Sequence, residues 1–267
     1  MMFSRLAIKV GSNVLTRGDG TLDITRMSAL VDQIAQLRAW GIEVILISSG
    51  AVASGRSELH LPSTETDLMD IVEQRQLFSA VGQAKLMGRY VELFRDHAIH
   101  VGQVLTMKEN FSTPEQNQNQ RQCMAAMLAH GVLPIVNEND TVCITELMFT
   151  DNDELSGLVA QLMGCEALII LSTIDGIYDG LPSDTSSRIV REVWLDDDLS
   201  QLIRSEKSAS GRGGMQSKYT TAREVAASGI DVYIANGKRD DILLDVLQRP
   251  DAVPFTHFNT HSHDNAH

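Results

Sequence analysis

The sequence predicts an α/β fold, a largely parallel open sheet with helices on both faces, and three observations carry that prediction. Strand-like runs alternate with helix-length periodic segments almost throughout, several strand runs are continuously apolar, and small or glycine residues follow strand ends. Strands buried on both faces read this way, and helices of crossover length are what join parallel neighbours.

The elements follow in order. Residues 5–10 form the first strand, and Ile24, Met27, Leu30, Val31, Ile34 and Leu37 recur at helical spacing over 24–39. A buried strand over 42–47 is closed by Ser48-Ser49-Gly50. Residues 68–96 read as a long helical stretch broken near Gly82 or Gly88, and 101–105 return to strand. A polar Asn- and Gln-rich segment over 115–122 leads into a helix through Leu128, followed by a strand over 132–136. The rhythm then repeats: helix 154–163, strand 167–171, helix 215–228, strand 231–235, helix 240–247. Pro250 is a natural stop, and the tail over 251–267, with four histidines and no periodicity, is expected to be disordered. A chain ending after Asp251 is therefore expected to fold and function.

A length of 267 residues suits one bilobal domain or two small ones. The 22 basic and 35 acidic residues give a net charge of −13, which excludes a general nucleic-acid surface, so any phosphate site must be a local cluster of cations. Cys123, Cys143 and Cys165 form no Cys-x-x-Cys pair and are expected to be buried thiols in a reducing compartment. The sequence carries no membrane-length apolar segment and no leader pattern, so a cytoplasmic location with no membrane partner is expected.

Two lysines mark the chemistry. Lys9 and Gly11 close the first strand run, at the edge where loops of an open sheet receive ligands. Lys218 follows Gly211-Arg212-Gly213-Gly214, whose glycines let main-chain N–H groups point at an anion where a helix starts. Three further segments follow or face strand ends: Ser48-Ser49-Gly50-Ala51, Asn137-Glu138-Asn139-Asp140 and Thr150-Asp151-Asn152-Asp153. Gly50 to Ser57 has the spacing of a Walker loop, but Arg56 stands at the lysine position and apolar residues fill the loop, so it is not read as one. Ser49 lacks a nucleophile elbow, and His60, His97, His100 and His130 lie in no motif that marks a base.

Seven motifs, in this order, resemble the amino acid kinase family over residues 5–248. They are Ile8-Lys9-Val10-Gly11-Ser12, Ser49-Gly50-Ala51-Val52-Ala53-Ser54-Gly55-Arg56, Ala80-Val81-Gly82-Gln83, His100-Val101-Gly102-Gln103, Val136-Asn137-Glu138-Asn139-Asp140, Asp151-Asn152-Asp153 with Leu155-Ser156, and Gly213-Gly214-Met215 with Lys218. The resemblance implies a three-layer αβα kinase domain over 1–250, with 1–163 the glutamate lobe and 164–250 the nucleotide lobe. It also implies transfer of the ATP γ-phosphoryl group to the side-chain carboxylate of L-glutamate, for proline synthesis. By the same resemblance Lys9 and Lys218 stabilise the transferring group, Gly11 supplies a main-chain N–H and Asp153 holds both lysines. Ser49, Asp140 and Asn152, with Gly50, Ala51 and Asn137, would grip glutamate. Lys9, Ser172, Thr173, Arg212, Gly213, Gly214, Met215, Gln216, Ser217 and Lys218 would bind ATP, with Mg2+ carried on its phosphates.

Ser172-Thr173 stands where many members have Thr-Asp, with the acidic residue displaced to Asp175. Many members also carry a C-terminal PUA domain, and a form without it is expected here. A homo-oligomer, dimer or tetramer, and feedback by proline are further implications of the resemblance. The physics agrees with this assignment: a carboxylate is already a nucleophile at neutral pH, so the task is positioning and charge stabilisation. Asp140 suits an α-ammonium group, while Ser49 and Asn152 offer neutral donors to carboxylates. The alternatives are a member acting on N-acetylglutamate, carbamate or a nucleoside monophosphate, and a non-catalytic ligand-binding protein on this fold.

Overall fold

Strand β1 (Arg5–Val10) lies inside an eight-stranded sheet whose order, among the described residues, is β3-β4-β2-β1-β5-β7-β8-β6. The computed structural model describes residues 3–142, 149, 151–180, 184, 186–200 and 214–263. The other strands are β2 (Glu43–Ser48), β3 (Val101–Thr106), β4 (Leu133–Glu138), β5 (Ala167–Ser172), β6 (Glu192–Val193), β7 (Asp231–Asn236) and β8 (Phe255–Phe258). From β3 to β7 every pairing is parallel; β8 runs antiparallel to β7, and β6 parallel to β8.

The helices are α1 (Ser12–Leu15), α2 (Ile24–Ala39), α3 (Ala51–Leu59), α4 (Ser63–Thr66), α5 (Ile71–Arg95), α6 (Pro114–Ala129), α7 (Asn152–Met163), α8 (Met215–Ala227) and α9 (Ile242–Gln248). Alternate residues of β1 point to opposite layers. Leu6 and Ile8 pack with Leu30 and Ile34 of α2, Leu86 and Phe94 of α5, and Leu243 of α9. Ala7 packs with Met124 of α6, Leu155 and Val159 of α7, and Ala222 and Val225 of α8. Burial on both faces accounts for the continuous apolar runs, and the fold is the expected three-layer αβα arrangement.

Three sequence expectations are corrected. α5 runs unbroken for 25 residues, started by a capping box in which Asp70 accepts from Val72 and Glu73 N–H while Glu73 accepts from Asp70 N–H. Gly82 is a contact point instead of a break, because a Cβ there would collide with the Ala51 carbonyl and the Gly55 N–H, and one at Gly55 with the Phe78 carbonyl. The polar segment over 115–122 is itself helix: Thr113 caps α6, Pro114 opens it, and Met124 is its one fully buried side chain. With so little buried surface it has no apolar period to read. Cys165 is buried as expected, but Cys123 is exposed; Cys143 lies outside the described residues.

The larger correction concerns the tail. β8 extends the sheet with Phe255, Thr256 and Phe258 buried. A four-residue strand whose neighbouring side chains are both covered shows no alternation, and that hid it. His257 is also structural, stacking on Tyr233 at 4.5 Å with its ring nitrogens 2.9 Å from Glu192 Oε2 and 3.0 Å from Asp231 Oδ1. Burial alone would lower its pKa, but the two carboxylates outweigh it and push it up to about 9. A raised folded pKa stabilises the fold fully below the free value of ~6.5, and that stability is lost as pH rises through about 9. With Glu192 half-exposed and screened, we expect a loss of about 2 kcal/mol, a fall of ~4–8 °C in melting temperature between pH 6 and pH 9.5. A His257→Gln variant should lack this fall, and an equal fall in the variant would assign it to other groups.

Candidate active site

The parallel strands all end at one edge. The chain leaves β1 toward β2 on one side and later returns to place β5 on the other, so ligands are expected in the crevice between the ends of β1 and β5. A cleft of about 1280 Å3 opens there. Lys9 and Gly11 reach it from β1, Asp151 to Asp153 from the start of α7, and Gly214, Met215 and Lys218 from the start of α8.

At its base is one buried anion between two cations. Lys9 Nζ lies 2.6 Å from Asp153 Oδ1, and Lys218 Nζ donates to Oδ2 at 2.9 Å. Asp153 is 0% exposed, and the two lysines 5% and 8%. Burial pushes the Asp153 carboxyl up, but the lysine charges outweigh it and hold it below the usual carboxylate range. The start of α7 adds favourable partial positive charge. Asp151 caps that helix, accepting from Asp153 N–H at 2.9 Å and Glu154 N–H at 3.2 Å. Burial, followed by the charge on Asp153, raises the Asp151 pKa, while a hydrogen bond from Ser217 opposes the shift. Two lysines flank the fully buried Asp153 carboxylate, and the Asp151 carboxyl lies within electrostatic reach of both.

A second cluster is made of amides and acids. Asn152 Nδ2 donates to Ser49 Oγ and to Asn137 Oδ1, both at 2.8 Å, and Asn137 donates to Gln83 Oε1 at 2.9 Å. Ser49 is thus tied to α7 and does not cap α3, whose N-cap is Gly50 with φ at +109°, a left-handed conformation that favours glycine. Beside this chain Glu138 and Asp140, 3% and 6% exposed, share Arg75. Its Nε donates to Asp140 Oδ1 at 2.5 Å and its Nη2 to Glu138 Oε2, while Glu138 Oε1 accepts from Phe149 N–H at 2.9 Å. Burial raises both carboxyl pKa values against the pull of Arg75. Gly50, Ala51, Ser172 and Thr173 also line the cleft.

Two assignments change. The Gly11 N–H donates to the Leu171 carbonyl at 3.2 Å, so it belongs to the sheet and not to an incoming phosphoryl group. Gly11 instead leaves room: a Cβ there would lie 3.5 Å from Lys9 Nζ and 3.3 Å from Leu171 O. Asp175 does not replace the missing acid at 173, because Arg239 holds both its oxygens and Asn236 donates to one of them. Gln216 is exposed and donates to Thr220; Arg212, Gly213 and Thr150 lie outside the described residues. Arg75 and the partner role of Gln83 were missed in the sequence. The available signal for Arg75 was a cation near the N-terminus of a helix, where the dipole disfavours it.

Buried cations held by one carboxylate at a switch point, beside a polar pocket, suit phosphoryl transfer. The chain belongs to the amino acid kinase family, which it matches over residues 4–236. It is 64% identical over 256 residues to a glutamate 5-kinase of Bacteroides thetaiotaomicron, covering 96% of this chain and 70% of that protein. It is 42% identical over 244 residues to a glutamate 5-kinase of Symbiobacterium thermophilum, covering 91% and 92%. A UMP kinase structure from Bacillus anthracis superposes with a TM-score of 0.67 at 16% identity, covering 97% of each chain, a likeness of fold. Among the described residues no helix is long and apolar enough to cross a membrane.

Proposed function

We propose that this chain transfers the γ-phosphoryl group of ATP to the side-chain carboxylate of L-glutamate, giving L-glutamyl 5-phosphate and ADP, the first step of proline biosynthesis. One observation carries the proposal: a single cleft holds a buried Lys9–Asp153–Lys218 cluster with two cations and an Arg75–Glu138–Asp140 cluster with two acids. A free amino acid with a second carboxylate complements both. Its ammonium group meets Asp140, its α-carboxylate meets Ser49, Asn137 and the Gly50–Ala51 turn, with Asn152 orienting Ser49 and Asn137 through both its Nδ2 hydrogens, and the reacting carboxylate faces the lysines.

A carboxylate oxygen of the acceptor forms a bond to the γ-phosphorus while the bond to the bridging oxygen of ADP breaks. No proton needs to move, so no general base is required. Lys9 and Lys218 offset the charge that spreads over the phosphoryl oxygens, and Asp153 keeps them in place without solvent reorganisation. Ser172, Thr173, residues 212–217 and the two lysines hold the nucleotide. Mg2+ enters on the ATP phosphates: among the described residues no three His, Cys, Asp or Glu side chains group as metal ligands, and this ion commonly keeps water and phosphate oxygens. A cytoplasmic location, assembly as a homo-oligomer, division into the two lobes and inhibition by proline complete the proposal and rest on the family resemblance.

The test is ATP consumption with Mg2+ and a panel of L-glutamate, L-aspartate, N-acetyl-L-glutamate, carbamate and UMP, trapping acyl phosphate with hydroxylamine. Glutamate should give hydroxamate and glutamate-dependent ADP. Hydroxamate from N-acetyl-L-glutamate and none from glutamate would overturn the assignment.

A further inference from the structure

The Arg75–Glu138 pair lines the cleft beside Asp140, and the reading above leaves its role open. Both carboxylates are buried, both accept from one guanidinium, and Arg75 itself lines the cleft. Arg75 divides its guanidinium between the two carboxylates, so Asp140 does not have that cation to itself. Glu138 also binds the Phe149 N–H, so the pair fixes the chain on the far side of the 141–148 segment as well as Asp140.

We infer that Arg75 and Glu138 are positioning residues: Glu138 shares the Arg75 guanidinium, keeps it from compensating Asp140 fully, and so favours an acceptor with a free α-ammonium group over one whose nitrogen is acylated. The inference rests on the proposed acceptor site. A free ammonium group neutralises the remaining charge and donates to Asp140. An acylated nitrogen carries no charge and would leave a desolvated carboxylate uncompensated, which is costly in a buried site. Arg75 alone would neutralise Asp140; Glu138 is what keeps half of its charge engaged elsewhere.

Charge bookkeeping makes the inference testable, because a second substitution should rescue the first. Glu138→Gln keeps an oxygen for Phe149 N–H but leaves Arg75 to compensate Asp140 fully. KM for glutamate should rise ~10-fold, with kcat and the KM for ATP within ~3-fold of wild type. Adding Arg75→Gln to that variant restores a lone negative charge, and KM should fall back by at least ~3-fold. A double variant as impaired as the product of its single variants overturns the inference, and so does an unchanged KM in Glu138→Gln.

Each variant is checked by its melting temperature without ligand. The shift in melting temperature on adding L-glutamate or N-acetyl-L-glutamate supplies a readout free of turnover. Wild type should be stabilised by glutamate alone, with the shift lost in Glu138→Gln and regained in the double variant. If that pattern holds while no hydroxamate forms, the phosphotransfer reading fails and the charge-setting role stands. Stabilisation by the acylated compound equal to that by glutamate overturns the charge-setting role even where glutamate is phosphorylated.

Discussion

A chain ending after Asp251 is expected to lose the cooperative thermal transition of the full chain. Phe255 is 3% exposed and belongs to the layer packed by α2, α5 and α9; Phe258 is 1% exposed and belongs to the opposite layer. Removing β8 therefore opens both faces of the sheet at once. It also takes away Thr256 Oγ1, which accepts from Ile177 N–H at 2.8 Å, and the ring of Phe255 on which the Arg191 guanidinium lies at 4.2 Å. Truncating one buried phenylalanine costs ~3–5 kcal/mol, so losing two is comparable with a whole domain stability of ~5–15 kcal/mol. Near-ultraviolet circular dichroism during a thermal scan of both chains is the measurement. A melting temperature within about 5 °C of the full chain would mean that the original expectation of a dispensable tail was right.

Lys218→Ala should lower turnover by ~10²–10³-fold, roughly 2.7–4 kcal/mol of transition-state stabilisation, as other electrostatic donors do. The effect falls on kcat because the cation is needed most when charge spreads over the transferring group, while the proposed glutamate site lies at Ser49, Asn152 and Asp140. Asp153 keeps Lys9 at 2.6 Å in this variant, so its buried carboxylate is not left without a cation. Steady-state kinetics on protein with a confirmed melting transition decides the point: turnover within ~3-fold of wild type would remove Lys218 from the chemistry.

The layered core was legible wherever apolar periodicity was strong. α2 has the bounds read from its spacing, and β1 those of its apolar run. The first half of α6 escaped because solvent covers most of it, although Thr113 and Pro114 were its proper start signals. The Lys9, Asp153 and Lys218 side chains come from three distant segments, and motif order brought them together on paper before the sheet did so in space. Arg75 had no such advantage. Its partners are 63 and 65 residues away, and a lone arginine in a long helix reads as a solvated charge until the fold turns it toward two acids.

The backbone contact of α3 and α5 also limits how acceptor specificity can be redesigned. Ala51 lines the cleft and its carbonyl occupies the space a Cβ at Gly82 would need. Position 82 therefore governs the Ser49-Gly50-Ala51 turn without offering any group to a ligand. Libraries aimed at longer or bulkier acceptors would waste their variants at 55 and 82, where even a methyl group moves main chain. The productive positions are cleft-lining side chains outside that contact, such as Ile71.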